Sequence, residues 1–257
     1  MESKIKIFEC KKDEGVFSRN SKFYPPNTTK NEIEKQFTEV KKTSGEHFGF
    51  DYRKIFQAEQ KNDNNADLYP NGKYVVITEN YMNKENYWDE KIETDILIIS
   101  DKHKGVVVGN QMADCPILIA EDRKLGVTAL SHCGASYINR LLPQATIESL
   151  VKEFNSDLND IYVYLGSSAK SSTYIYDKYP LWATNKDVWK NYIVKEGNNY
   201  HIDMNGAIIK QLKDIGINNI EESPINTMTD DRYYSHAEAA KGNKDKMGQN
   251  FVGFYYK

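Results

Sequence analysis

Apolar and polar residues alternate from Ile5 to Phe8, with lysine between the isoleucines, as in a half-buried strand, and Gly15 to Arg19 reads as a second short strand. Pro25-Pro26-Asn27 breaks the pattern. Asn31 to Ser44 then places Ile33, Phe37 and Val40 at spacings of four and three, which predicts an amphipathic helix that Thr28 or Thr29 can cap. Arg53 to Gln57 predicts a strand leading into a polar loop, where Pro70-Asn71-Gly72 is a turn signal before the strand Tyr74 to Thr78. Asn80 to Glu93 lacks a period and reads as loop, and Asp95 to Ser100 is the next strand.

The chain is organised around Gly105 to Tyr137. Val106, Val107 and Val108 form a β-branched run predicted to end at Gly109, so that Asn110 to Cys115 emerges at a sheet edge. Pro116 biases Cys115 to an extended backbone. Ile117 to Ile119 continue as a buried strand, Glu121 to Lys124 make a charged turn, and Val127 to Leu130 return. If the two runs pair as a hairpin, His132 arrives beside Cys115. Cys133 then points to the opposite face and serves packing.

Beyond Tyr137, Ile138 to Phe154 predicts a helix with Pro143 near its first turn. Ile161 to Leu165 is a strand that ends on the small-residue loop Gly166 to Ser172. Lys186 to Tyr192 is helical. Met204 to Ile215 is an amphipathic helix that Asp203 caps and Gly216 stops. Ile220, Tyr233 to Ser235 and Phe251 to Tyr256 are the remaining strand candidates. Strands interleaved with helices and no linker give a single α/β domain over residues 1–257, with a mixed sheet and helices packed on it.

Composition narrows the class. A net charge of -3 leaves no basic footprint for nucleic acid. Mean hydropathy is low at -0.70, yet 18 Tyr and 10 Phe supply the buried area a core needs. Three cysteines, Cys10, Cys115 and Cys133, form no paired framework and point to a reducing compartment. With no apolar signal core and no membrane-length run, the expectation is a cytoplasmic protein.

Cys115 and His132 can be a thiol–imidazole pair or two metal ligands, and a buried cysteine with a satisfied histidine is the plain alternative. Glu59 is a third candidate ligand or base, with solvated surface as its ordinary reading. His236 lies near a strand candidate and can line a pocket.

At these residues the chain resembles the YfiH or laccase-domain family. Ala113-Asp114-Cys115-Pro116 and His132-Cys133-Gly134 match its ADC-x-P and HAGWRG patterns, and Phe17-Ser18-Arg19, Thr94 to Leu97 and His201 to Met204 follow its other motifs in order. The resemblance implies the YfiH-like fold, shared with cysteine deamidase toxins of the cytotoxic-necrotizing-factor type. It also implies action on purine nucleosides, by phosphorolysis or adenosine deamination, at a His, Cys, His site often holding zinc.

The chain departs from the pattern where charge matters. Glu59 stands where the first histidine is expected, Ser136 replaces the arginine of HAGWRG, and Tyr234 to Glu238 replaces a late arginine-bearing motif. The implied site is therefore Glu59, Cys115 and His132, as zinc ligands or as nucleophile and bases, with Arg19, Asn110, Ser136 and His236 around a small-molecule substrate. Zinc accepts one oxygen, one sulfur and one nitrogen. Hydrolysis of a nucleoside, a metal-free cysteine hydrolase and a non-catalytic scaffold are the three readings left open.

Overall fold

A computed structural model of the chain describes residues 2–60, 73–90 and 92–257. In chain order its elements are β1 (Ile5–Cys10), α1 (Lys30–Phe48), β2 (Ile55–Gln57), β3 (Tyr74–Val76), β4 (Ile96–Ser100), β5 (Val107–Met112), β6 (Ile117–Asp122), β7 (Val127–His132), α2 (Ala135–Asn139), α3 (Leu142–Phe154), β8 (Ile161–Leu165), β9 (Ile175–Tyr176), α4 (Lys186–Trp189), β10 (Ile193–Glu196), β11 (Asn199–Ile202), α5 (Met204–Asp214), β12 (Asn219–Glu222), α6 (His236–Ala240) and β13 (Asn250–Tyr256). Three sheets result, ordered β1-β13-β5-β2, β12-β8-β6-β7-β4-β3 and β10-β11-β9.

The two larger sheets lie face to face, and strand periodicity assigns each side chain to a layer. In β4, Leu97 and Ile99 enter the core shared with Val108, Val252 and Phe254 of the four-stranded sheet. Their neighbours Ile96 and Ile98 enter a second core with Leu142, Ile147 and Leu150 of α3 and Ile208 and Leu212 of α5. On the far side of the smaller sheet, Phe8, Val107 and Phe251 pack with Phe37 of α1 around an aromatic core. The order is helix, sheet, sheet, helix. The inner strands β4, β6 and β13 are covered on both faces, which is why runs such as ILII look apolar without alternation.

Local signals hold where the sequence predicts them. Thr29 caps α1 through a box with Glu32, and Asp203 caps α5 by accepting the Gly206 N–H at 2.8 Å. β6 and β7 form the expected hairpin, with Ile117 opposite His132. Among the described residues no helix is long and apolar enough to cross a membrane.

Five expectations change. β5 does not end at Gly109 but runs on to Met112, because the missing side chain makes room for Phe251, whose ring atom Cζ would lie 2.3 Å from a Cβ there. β6 continues through Glu121 and Asp122, so the turn falls two residues later, at 123–126. The helix predicted over 138–154 is two helices, with Leu141 at φ 64° between them. A continuous helix would set the Pro143 ring against the carbonyl of Asn139. Gly15 to Arg19 forms no strand: Gly15 has φ 100°, and the segment is tied by the Phe17 N–H to the Gln249 carbonyl at 3.1 Å. Tyr233 to Ser235 is no strand either. There the Asn250 side-chain amide imitates a partner strand, its Oδ1 accepting the Tyr234 N–H and its Nδ2 donating to the Tyr234 carbonyl, both at 3.0 Å.

The β10–β11 hairpin escapes the sequence reading because its strands are short and largely exposed, although Gly197, at φ 59°, opens a two-residue turn with Asn198. The turn signal at Pro70-Asn71-Gly72 lies outside the described residues.

Candidate active site at the ends of β6 and β7

The hairpin register brings Cys115 and His132 to one end of the sheet. Ile117 is paired with His132, and the Cys133 N–H donates to the Pro116 carbonyl at 2.9 Å, so the two chains stay together as far as the cysteine. Thr128, Leu130 and His132 share the face turned to the smaller sheet: Thr128 meets the Tyr256 hydroxyl at 2.6 Å and Leu130 lies in the intersheet core. Cys133 points the other way, fully buried among the residues beneath α3 and 3.5 Å from Ser131 Oγ. Its packing role agrees with the strand parity read from sequence.

Asp114 holds the cysteine in place. It is buried at φ 87°, a conformation few non-glycine residues adopt, and aspartate is among those that do. Its Oδ1 accepts from Thr227 Oγ1 and its Oδ2 from the Ala237 N–H, each at 2.7 Å, while its carbonyl accepts the Ala169 N–H at 2.9 Å. Three distant segments thus close on the residue before Cys115. Sequence reasoning saw Asp114 as part of a motif but gave it no task; an aspartate directly before Cys-Pro was the available signal.

Burial favours the neutral form of both candidate side chains at pH 7. Burial, reinforced by the Asp114 carboxylate, pushes the Cys115 thiol up to about 12, against a smaller opposing effect of the Ala135 backbone N–H. Burial alone pulls His132 down to about 4. The His132 Nε2 is buried and has no hydrogen-bond partner among the described residues. From the other side, Gln60 Nε2 donates to the His132 carbonyl at 3.2 Å and fixes the backbone there. Gln60 is a further residue that sequence reasoning missed, since a loop glutamine carries no signal of its own.

The remaining candidates are placed as follows. Asn110 is buried between Val108 and Met112 on the intersheet face of β5, the strand that lies against β7, and its Oδ1 accepts the Gln111 N–H at 2.9 Å. Ser136 is exposed in the first turn of α2, where its carbonyl accepts from Arg140 Nε at 3.3 Å. His236 is exposed at the start of α6 and lines an apolar recess with Phe23 and Met247. Glu59 is exposed and Arg19 sits near it, both lining a cleft of about 280 Å³ that includes neither Cys115 nor His132. Arg19 is bound by Glu34 through Nε and by Asp89 at 3.0 Å, and its guanidinium lies over the Phe37 ring at 5.1 Å.

The zinc set implied by the resemblance is therefore not assembled. Among the described residues no three His, Cys, Asp or Glu side chains come together as metal ligands. Cys115 and His132 supply one sulfur and one nitrogen, short of the three protein ligands of an open zinc site, and Glu59 stays with Arg19.

A four-layer α/β protein presenting a cysteine and a histidine at one hairpin end defines the class. Residues 32–252 match the family described as multi-copper polyphenol oxidoreductase laccase, and the chain belongs to that family. Its fold is that of the YfiH-type proteins: the YfiH protein of Bacillus licheniformis superposes with a TM-score of 0.68 at 16% identity, over 87% of this chain and 82% of that one. YlmD of Geobacillus stearothermophilus gives 0.67 at 16% identity, over 87% and 81%. A curated relative, a purine nucleoside phosphorylase of Clostridium acetobutylicum, is 31% identical over 140 residues, which is 53% of this chain and 57% of the relative. That match spans little more than half of either protein.

Proposed function

We propose that the chain is an enzyme acting on purine nucleosides by hydrolysis, with Cys115 and His132 as the reacting pair. Family membership and the name of the curated relative support the substrate class. The observation that carries the chemistry is the buried His132 Nε2, which has no hydrogen-bond partner among the described residues on an imidazole that burial keeps neutral, so the ring can take a proton. Water gives that proton to His132 and its oxygen bonds to the carbon under attack. The C–N bond breaks, the departing nitrogen takes the Cys115 S–H proton, and His132 returns a proton to the sulfur. The same sequence describes deamination of an aminopurine, releasing ammonia, or cleavage of the glycosidic bond, releasing the base.

Phosphorolysis needs a cradle for a dianion, normally arginine forks. Ser136, Ala237, Glu238 and Gln249 stand where the resemblance has arginine, and Arg19 is held by two carboxylates. A zinc-assisted version needs a third protein donor that the described residues do not bring to the pair. The test is turnover of adenosine and inosine with product identification, with and without millimolar phosphate. Inosine or free base at a rate independent of phosphate is expected. Ribose-1-phosphate rising with phosphate would refute the hydrolytic reading.

A metal-free cysteine hydrolase is the second reading, favoured by the two-donor site. Its thiol would have to lose its proton to His132 as the substrate arrives, since the neutral forms dominate beforehand. Ammonia release from glutamine side chains of a protein substrate, absent with nucleosides, separates it from the first.

A further inference from the structure

The cleft beside Glu59 is built against anions. Two carboxylates, Glu59 and Glu90, line it with one arginine. That arginine is already bound by two more carboxylates, Glu34 and Asp89, and stacked on Phe37, so its charge is neutralised before any ligand arrives. Among the described residues the Glu59 carboxylate has no hydrogen-bond or ion-pair partner, and the Glu90 carboxylate has Lys84 at 3.9 Å. The uncommitted charged groups on the described lining are therefore carboxylates, beside the neutral amides of Asn20, Gln57 and Gln111.

Two further features point to what would fill it. Gln57 lines the cleft, and its buried side-chain Oε1 receives no donor among the described residues, an unmet acceptor that a donor-bearing ligand can satisfy. Trp88 forms part of the wall, its interior side packed on Phe37 and Phe251 and its remaining surface open to the cleft. Indole surface beside carboxylates is suited to a cation with a flat or aliphatic stem. At about 280 Å³ the space lies at the small end of ligand sites.

We propose that this cleft, walled by Glu59, Glu90, Gln57 and Trp88, binds a small organic cation: an ammonium or guanidinium group on a short stem lying along Trp88. The carboxylates take the charged N–H groups, and the Gln57 amide takes one of the remaining donors. The proposal does not rest on the nucleoside reading, because it concerns a cleft whose lining includes neither Cys115 nor His132.

Agmatine, which carries a guanidinium and an ammonium on a four-carbon stem, is the probe, with inorganic phosphate as the opposite charge. Titration calorimetry on the intact chain at low salt should show saturable one-to-one binding of agmatine and none of phosphate. Glu59→Gln, at an exposed side chain with no partner among the described residues, should weaken agmatine about tenfold, and adding Glu90→Gln should weaken it further. Arg19→Gln should leave it unchanged or tighten it. No saturable agmatine binding, equal binding to the Glu59→Gln variant, or preference for phosphate overturns the proposal. Failure of nucleoside turnover leaves this binding result untouched, so the two readings fail separately.

Discussion

The carboxylate of Asp114 accepts the backbone N–H of Ala237 at 2.7 Å, joining the residue before Cys115 to the start of α6, 123 positions later in the chain. The same carboxylate accepts from Thr227, so one buried side chain ties the residue before the cysteine to α6 and to the turn at Thr227. Geometry at Cys115 is thereby made a property of the whole fold.

Asp114→Ala should remove both hydrogen bonds, leave the buried Thr227 hydroxyl and the half-buried Ala237 N–H without this acceptor, and place alanine at φ 87°. A loss of about 2–4 kcal/mol is expected in urea unfolding, from the unsatisfied groups together with the strained backbone. Asp114→Asn, which tolerates the same backbone, should recover part of it. Equal loss from both variants would mean that charge alone matters there.

His132 gives the protein a pH dependence of known sign. Its folded value of about 4 lies below the ordinary 6.5, so between these values the unfolded chain binds the proton and the folded chain does not. Stability should therefore fall as pH drops from about 6.5 towards 4, by at most about 3 kcal/mol from this residue. His132→Gln should flatten that part of the profile, measured as the unfolding midpoint at successive pH values. An unchanged slope would show that the imidazole titrates as in the unfolded chain.

The two neighbouring cysteines should separate by function. Cys115→Ser should abolish turnover with little loss of stability, whereas Cys133→Ser, whose hydroxyl can keep the contact to Ser131, should retain most activity at a cost of about 1 kcal/mol in core packing. Both thiols are pushed up to about 12, so iodoacetamide should label the native protein slowly at neutral pH and faster in denaturant. Rapid labelling of the native Cys115 would contradict a neutral thiol.

Metal content tests whether Cys115 and His132 hold a metal. Protein purified without chelator and then dialysed against a weak one should lose its zinc, because a sulfur and a nitrogen alone do not retain it. X-ray fluorescence showing one zinc per chain after dialysis would require a third donor. Glu59→His should restore no retention if Glu59 stays with Arg19 rather than turning to the pair.

The sequence by itself determined the pieces whose causes are local. Apolar runs flanking Glu121 to Lys124, with Pro116 before them, are sufficient for the β6–β7 hairpin, and hairpin parity is sufficient to put His132 and Cys133 on opposite faces. The caps at Thr29 and Asp203 follow from side chains within three residues of the amides they serve. The family motifs around Cys115 and His132 point to the fold because they recur in fixed order.

Tertiary structure decided everything that depends on partners far along the chain. Whether Arg19 faces a ligand or a carboxylate depends on Glu34 in α1 and Asp89 in the loop after β3, and no local pattern records either contact. Glu59 aligns with a ligand position, yet its backbone is fixed by the Ile92 carbonyl at 2.9 Å and its side chain is left at an exposed cleft. Gly109 reads as a strand end until Phe251, 142 positions away, is seen to fill its missing side chain. Hydrophobic periodicity fixes which face of a strand is buried, whereas charge pairing and side-chain insertion between layers depend on distances that exist only once the layers have closed.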